Sequence, residues 1–377
     1  MPTDPPPTDS GPKPSPAGLP GLRPEDLPLV VAPSAGYIIQ LFLIPAMIVA
    51  AVITVWALFG KLAESDTNWQ QMVEELGSSN EHRRWRAAHG LAQMLGNERN
   101  LPPAEDRIPL TREPVIVQGL TDVLKKSLAS TTPSDEDLEH QKFLTRTLSM
   151  MEDDDTVLPV LATAMTAERN PDVRKSALMA VAAIAGRHFE KATGFESNAT
   201  TQDMVPVALK EPLSEPTITN TDVLQQIQLA SQDPDPVVRH LAAYASASVS
   251  GSESVELLKS MLSDGDTFAR ANAAVGLARN GSLDGVPVLT ELIKEATRPF
   301  VKAASYESPE AERQAYAAFQ VEQSAATRNC LRAVGGLWDR LSSEQKTELR
   351  AAVQKIESEH FAADVRNQAS GFLREHP

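Results

Sequence analysis

One frame recurs in this chain and limits what it can fold into: an N-capping residue, an arginine four positions later, then small side chains three and six positions beyond. Asn80 precedes Arg84, Asn170 precedes Arg174, Asp235 precedes Arg239 and Asp266 precedes Arg270 in this way. Asn and Asp accept hydrogen bonds from the free N–H groups of a helix's first turn, and Pro171 and Pro236, at the first helical position, lose no bond for lacking theirs. The third position after each arginine is alanine (Ala87, Ala177, Ala242, Ala273), and the sixth is alanine or glycine (Gly90, Ala180, Ala245, Gly276). Residues three apart share a helix face. A face of small groups lets a neighbour approach closely, so each helix is built to be packed on more than one side. Gly96, Gly186 and Gly251, twelve positions after their arginines, are expected to close the helices as left-handed caps.

A shorter apolar helix pattern precedes each frame: "WQQMVEELG" before Asn80, "VLPVLATAM" before Asn170, "VLQQIQLAS" before Asp235 and "VELLKSML" before Asp266. The unit is therefore a helix hairpin. Arg239 to Arg270 is 31 residues, one hairpin with short turns, whereas Arg174 to Arg239 is 65 and must hold an insertion. Hairpin periods of about 30 to 47 residues signal an α-solenoid whose units share one hydrophobic interior. Further hairpins are inferred at 113–151, where Arg146 is followed by Ser149 rather than alanine, at 285–341, interrupted by "RPFVKAASYESPEAER", and around Arg366, where Ala362 replaces the cap. The expected fold is all-α, about seven antiparallel hairpins over 61–377, with the polar stretch 192–220 as an inserted, projecting loop.

The frame resembles the HEAT-repeat family, in particular its bacterial short, phycobilisome-lyase-type HEAT-like repeat with the pattern D-x-x-V-R-x-x-A-x-x-A-L. The residues that carry the likeness are Asp172, Val173, Arg174, Ala177 and Ala180; Val238, Arg239, Ala242 and Ala245; Ala269, Arg270 and Ala273; and Asp364, Val365, Arg366 and Ala369. The resemblance implies an armadillo-like helical array that binds a protein. Arg84, Arg174, Arg239, Arg270 and Arg366 are the structural repeat positions. A ladder in which each guanidinium bridges to the adjacent repeat suits them better than a groove for an anionic ligand.

Eleven prolines fall in the first 33 residues, so residues 1–36 are expected to form a disordered, partly polyproline II tail. Residues 37–60, "YIIQLFLIPAMIVAAVITVWALFG", lie in an uncharged run from Leu27 to Gly60. As a helix they rise about 36 Å, enough to cross a hydrocarbon core of roughly 30 Å. Tyr37 and Trp56 sit near the two interfaces, and Pro45 introduces a kink. A single retained transmembrane helix is expected, in a bacterial inner membrane. Arg23 and Lys13 on one side against Lys61 on the other leave the orientation near a tie, leaning to a cytoplasmic tail.

No chemistry assembles from the remaining motifs. A net charge of −15 argues against nucleic acid as a partner. Cys330, the one cysteine, has no histidine near it in sequence and reads as a small buried side chain. Four histidines follow a glutamate (Glu81-His82, Glu139-His140, Glu359-His360, Glu375-His376). The HEAT-like deoxyhypusine hydroxylases hold two irons through four His-Glu pairs, but the order here is reversed and the placement differs, so solvated surface pairs are the reading. The acidic runs Asp135 to Glu139 and Glu152 to Thr156 lack EF-hand spacing and read as helix starts and turns. Asn198-Ala-Thr matches a glycosylation acceptor at near chance. The expectation is a membrane-anchored scaffold for a protein partner with a basic or apolar patch. It has no catalytic, cofactor or metal residues, and a small-molecule ligand is disfavoured. The rivals are a HEAT-like lyase or metal/cofactor-binding enzyme subunit, and a DNA-binding HEAT-like protein of the alkylpurine glycosylase kind, which would need a basic concave face.

Overall fold

The structure, a computed structural model of the 377-residue chain, describes residues 35–63, 69–99, 108–194, 208–211, 213–302 and 308–377. The expected tail, Asn198 and most of the inserted stretch lie outside the described residues. The chain divides into two units, Met1–Thr67 and Asn68–Pro377.

In the first unit the described element is helix α1 (Ala35–Ala63), which contains Pro45. It covers the stretch expected to span a membrane. Its continuous described side chains run from 43 to 55 and are all exposed. Among the described residues no helix is long and apolar enough to cross a membrane.

The second unit contains α2 (Trp69–Leu76), α3 (Glu81–Arg99), α4 (Pro114–Leu128), α5 (Asp135–Leu148), α6 (Asp154–Met165), α7 (Pro171–Thr193), α8 (Thr221–Ala230), α9 (Pro236–Val249), α10 (Gly251–Met261), α11 (Thr267–Arg279), α12 (Val286–Glu295), α13 (Pro309–Leu337), α14 (Ser343–Glu359) and α15 (Ala363–Glu375). No strand occurs among the described residues. Successive helices pair into seven hairpins, and the second helices α5, α7, α9, α11, α13 and α15 pack each against the next.

The helices begin where the caps lie. Asn80, Asn170, Asp235 and Asp266 accept from the N–H of Arg83, Asp172, Val237 and Ala269. Ser134 caps α5, with Asp137 completing a capping box, and Asp153 caps α6, so both acidic runs are helix starts. Ala362 gives α15 no side-chain cap.

The glycine caps are a different matter. Gly96 and Gly186 lie inside α3 and α7, which run on to Arg99 and Thr193. A helical glycine costs only about 1 kcal/mol relative to alanine. Beyond Gly186 the helix gains the burial of Phe189, and Arg187 donates to the carbonyls of Ser149 and Met151. Gly251 does adopt a left-handed φ of 79°, and α7 closes on Gly194 at 69°.

Among the described residues the fully buried side chains of the expected interior group into three clusters, which meet at α9 and α11. Ala242 and Ala245 join the first cluster, built from α2 to α9, while Ala243 and Ala247 join the second with Leu258 and Leu277. On α11, Ala269 and Ala273 face the second cluster, and Ala274 and Ala278 face the third, which extends to α15. Consecutive residues are about 100° apart around a helix, and a methyl group is too short to meet side chains across the backbone. Alanine therefore packs these helices closely on both sides, and the half-buried Leu257 and Leu262 join the second cluster to the first and the third.

Candidate functional site

The recurring arginine clamps the turn of its own hairpin. Arg84 Nη1 donates to the carbonyls of Ser78 and Ser79, Arg239 to Asp233 and Pro234, Arg270 to Asp264 and Gly265, and Arg366 to His360 and Phe361. In each case the acceptors lie five and six residues back. Arg174 binds the carbonyl of Arg169 at 2.6 Å. A long side chain near the start of the second helix thus satisfies carbonyls that the tight turn leaves without helical partners.

Two of the five also reach the next repeat. Arg174 Nη2 lies 2.8 Å from Asp233, both side chains being 7% exposed, and Arg239 binds both oxygens of Asp264 at 2.9 and 3.0 Å. The Arg239 hydrogen bond holds the Asp264 carboxyl below its ordinary range. Lys175 adds a cross-repeat bond to Asp235 at 2.8 Å and lowers that carboxyl likewise. Among the described residues the bridging ladder therefore has two rungs, while Arg84, Arg270 and Arg366 bond within their own hairpins.

The acceptors Asp233 and Asp264 are residues that sequence reasoning missed. Each sits six before an arginine and also accepts the N–H of the cap two residues on, Asp235 or Asp266. Ser78 does the same for Asn80, and His360 Nδ1 for Ala362. The signal was present as a hydrogen-bonding residue two before each helix start, in "SSN", "DPD", "DGD" and "HFA".

A second cross-repeat bond fixes the register where the arginine is absent. Asn272, two after Arg270, donates to the carbonyl of His240, one after Arg239, and Gln368 donates in the same way to Arg328. Ser176 donates to Lys142. The position equivalent to the arginine is thus Gln141 in α5 and Thr327 in α13, both buried. Arg146 is exposed and out of frame, which corrects the alignment expected for the second hairpin. Cys330, three after Thr327, occupies the small-residue position, where burial pushes its thiol up to about 12. It is inert as a nucleophile at neutral pH.

The described second half of the insertion lies against the helix ends. Leu209 N donates to Arg279 O, and Thr217 N to Val249 O. Ile218 is 2% exposed. Gly281 and Gly251 have φ of 76° and 79°, and a Cβ on Gly281 would stand 2.3 Å from Leu209 O. The strap needs glycine there for both space and conformation.

Among the described residues one face of the second-helix row is open. Met179 on α7, with Val237 and Tyr244 on α9, is exposed beside the half-buried Phe268 and Val275 of α11. His240 and Phe268 meet edge to face at 6.4 Å. On the opposite row, α8 and α10 are parted by a 730 Å³ cleft whose lining includes Ile227, Leu257, Glu253 and Glu256.

The four Glu-His pairs do not converge as pairs. His360 is 1% exposed, so it is not a solvated surface group, and the half-buried His376 packs on Trp338. His140 stacks on Trp85, and its Nδ1 is buried without a hydrogen-bond partner.

Residues 224–309 match the model described as HEAT repeats, so the HEAT-like repeat is shown for that segment. No curated protein matches the chain. Among solved structures, a designed armadillo repeat protein in complex with the peptide (KR)4 aligns over 82% of this chain and 100% of its own, at 14% identity and a TM-score of 0.37. An Escherichia coli protein, YibA, aligns over 85% and 96% at 14% identity and a TM-score of 0.32. Human deoxyhypusine hydroxylase aligns over 84% and 98% at 15% identity and a TM-score of 0.26.

Proposed function

We propose that this protein is a scaffold that holds another protein against the open face of α7, α9 and α11, anchored by α1 in a bacterial inner membrane. The observation that carries the reading is that face. Met179 is 47% and Tyr244 37% exposed, on helices whose other sides are buried in the repeat interior. Amphipathic aromatics and methionine are the side chains that interfaces favour. The partner presents apolar side chains to this stripe, and the short, lyase-type HEAT repeat is the reading for the remaining hairpins.

The anchor is supported by the composition of α1. Residues 43–55 are apolar except Thr54, whose hydroxyl donates to the carbonyl of Ala50 at 2.7 Å, and every one of them is exposed. A helix that is apolar all round has no favourable surroundings in water, and in lipid a polar side chain bonded to its own helix is tolerated. Catalysis forms no part of the proposal, and Cys330, buried with its thiol pushed up to about 12, is not offered as a nucleophile. Nucleic acid is outside the proposal too, because the net charge of −15 supplies no attraction for phosphates.

The test is site-specific photo-crosslinking in membranes, with the probe at Met179 or Tyr244 and a control at Leu229, which is 56% exposed on α8. A discrete adduct at the first two positions and none at the third is expected; equal yields at all three sink the interface. Retention of the chain in the pellet after an alkaline wash tests the anchor, and its release to the supernatant sinks that part.

A further inference from the structure

Glu81 opens α3, and Asp137 and His140 stand one turn apart on α5. Each offers one ligand atom, and those atoms all lie within 4.8 Å of one another. Asp137 is held by its capping box, its Oδ2 accepting from the N–H and hydroxyl of Ser134 at 2.8 Å, which leaves Oδ1 for another bond. His140 is held by its stack on Trp85, with ring centroids 3.3 Å apart, and its side chain is 13% exposed. A buried ring nitrogen without a partner is a costly arrangement, and a cation is the partner that the neighbouring carboxylates would accept too. Glu136 also faces the ring, with Oε1 4.0 Å from Nε2. A 440 Å³ cleft between the two hairpins, lined by Glu81, Asp137, Asp122 and Lys126, gives solvent and ions access.

We propose that Glu81, Asp137 and His140 form a binding site for a divalent first-row transition-metal ion such as zinc, bridging the first hairpin to the second. One imidazole with two carboxylates is a borderline donor set suited to such ions, with water completing the shell. Bonds of about 2 Å place tetrahedral ligands roughly 3.3 Å apart, and rotation of the exposed Glu81 side chain closes the set. The need for such a tie is visible in the fold. A terminal hairpin of a repeat array has a neighbour on one side only, and α3 meets α5 through two ring stacks, Trp85 on His140 and His89 on Phe143. The proposal is independent of the scaffold reading.

The experiment is titration of the chelator-treated full chain with zinc by calorimetry and with cobalt by visible absorption. One equivalent should bind, with ligand-field absorption for cobalt and a rise in melting temperature. Losing an outer-shell partner commonly weakens a site about 10–100-fold, so losing a ligand in E81Q or H140Q should do at least that. E81Q changes an exposed residue at a helix start, so its loss of binding is not a loss of fold. W85F should abolish the fluorescence change on zinc binding, because Trp85 lies on the ligating ring. Equal affinity in the wild type and the E81Q/H140Q double variant, or no binding at all, overturns the site.

Discussion

From α6 to α11 the arginine of one hairpin reaches the turn of the next, whereas in α2–α3 and α14–α15 the same residue stops at its own turn. The difference lies in the neighbours. Between α7, α9 and α11 the second helices approach closely on alanine faces, and an aspartate stands six before the next arginine. Among the described residues Arg270 meets no such acid: six before Thr327, its equivalent in α13, stands Val321. An identical residue in an identical frame is a local clamp or a bridge between repeats, according to what the next repeat presents.

The sharpest test compares Arg174→Ala with Arg84→Ala by denaturant unfolding. Removing Arg174, which is 6% exposed, leaves Asp233 buried and uncompensated and should cost about 3–5 kcal/mol. Arg84 loses bonds to carbonyls that water can replace, at about 1–2 kcal/mol. Equal losses would erase the distinction. Arg239→Ala should fall between the two, lowering melting temperature more than any partner's affinity. An unchanged melting temperature counts against a structural role.

Helix approach is probed by the sixth-position glycines. A Cβ on Gly276 would stand 2.6 Å from that of Ala247 across the α9–α11 contact, so Gly276→Ala should cost about 1–3 kcal/mol. On Gly90 it would meet only the movable tip of Met72, and Gly90→Ala should be neutral or gain up to about 1 kcal/mol of helix propensity. A smaller effect is expected from pH. Burial holds His240, His360 and His376 below the ordinary 6.5, so the unfolded chain binds more protons than the folded one just below that value. Their contribution is complete above pH 6.5 and drains as pH falls through it. Melting temperatures across that window should show the decline, and a rise on acidification would contradict it. Smallest of all, Arg146→Ala, at an exposed position outside the frame, should stay within about 0.5 kcal/mol.

Much of this was legible beforehand. The four Asn and Asp caps, the helix pairs and the small faces follow from backbone hydrogen bonding and residue size, which act over a few residues. Asp233 and Asp264 were not, since their partners lie 59 and 25 residues away. Nor were Gln141 and Thr327, whose place in the frame is set by a neighbouring repeat rather than by their own identity. The proposed cation site joins members of two different Glu-His pairs, Glu81 and His140, to Asp137, a grouping invisible along the chain.

By itself the sequence determined which segments are helical, where they start, and that the second helices can be packed from two sides, because capping, proline geometry and side-chain size are local. Only the tertiary structure decided which arginines bridge repeats, that α3 and α7 run through Gly96 and Gly186, and that the fully buried side chains group into three clusters meeting at α9 and α11. Each of those outcomes depends on what a neighbouring repeat offers, and a helix gains burial and ion pairs only from groups that the fold brings beside it.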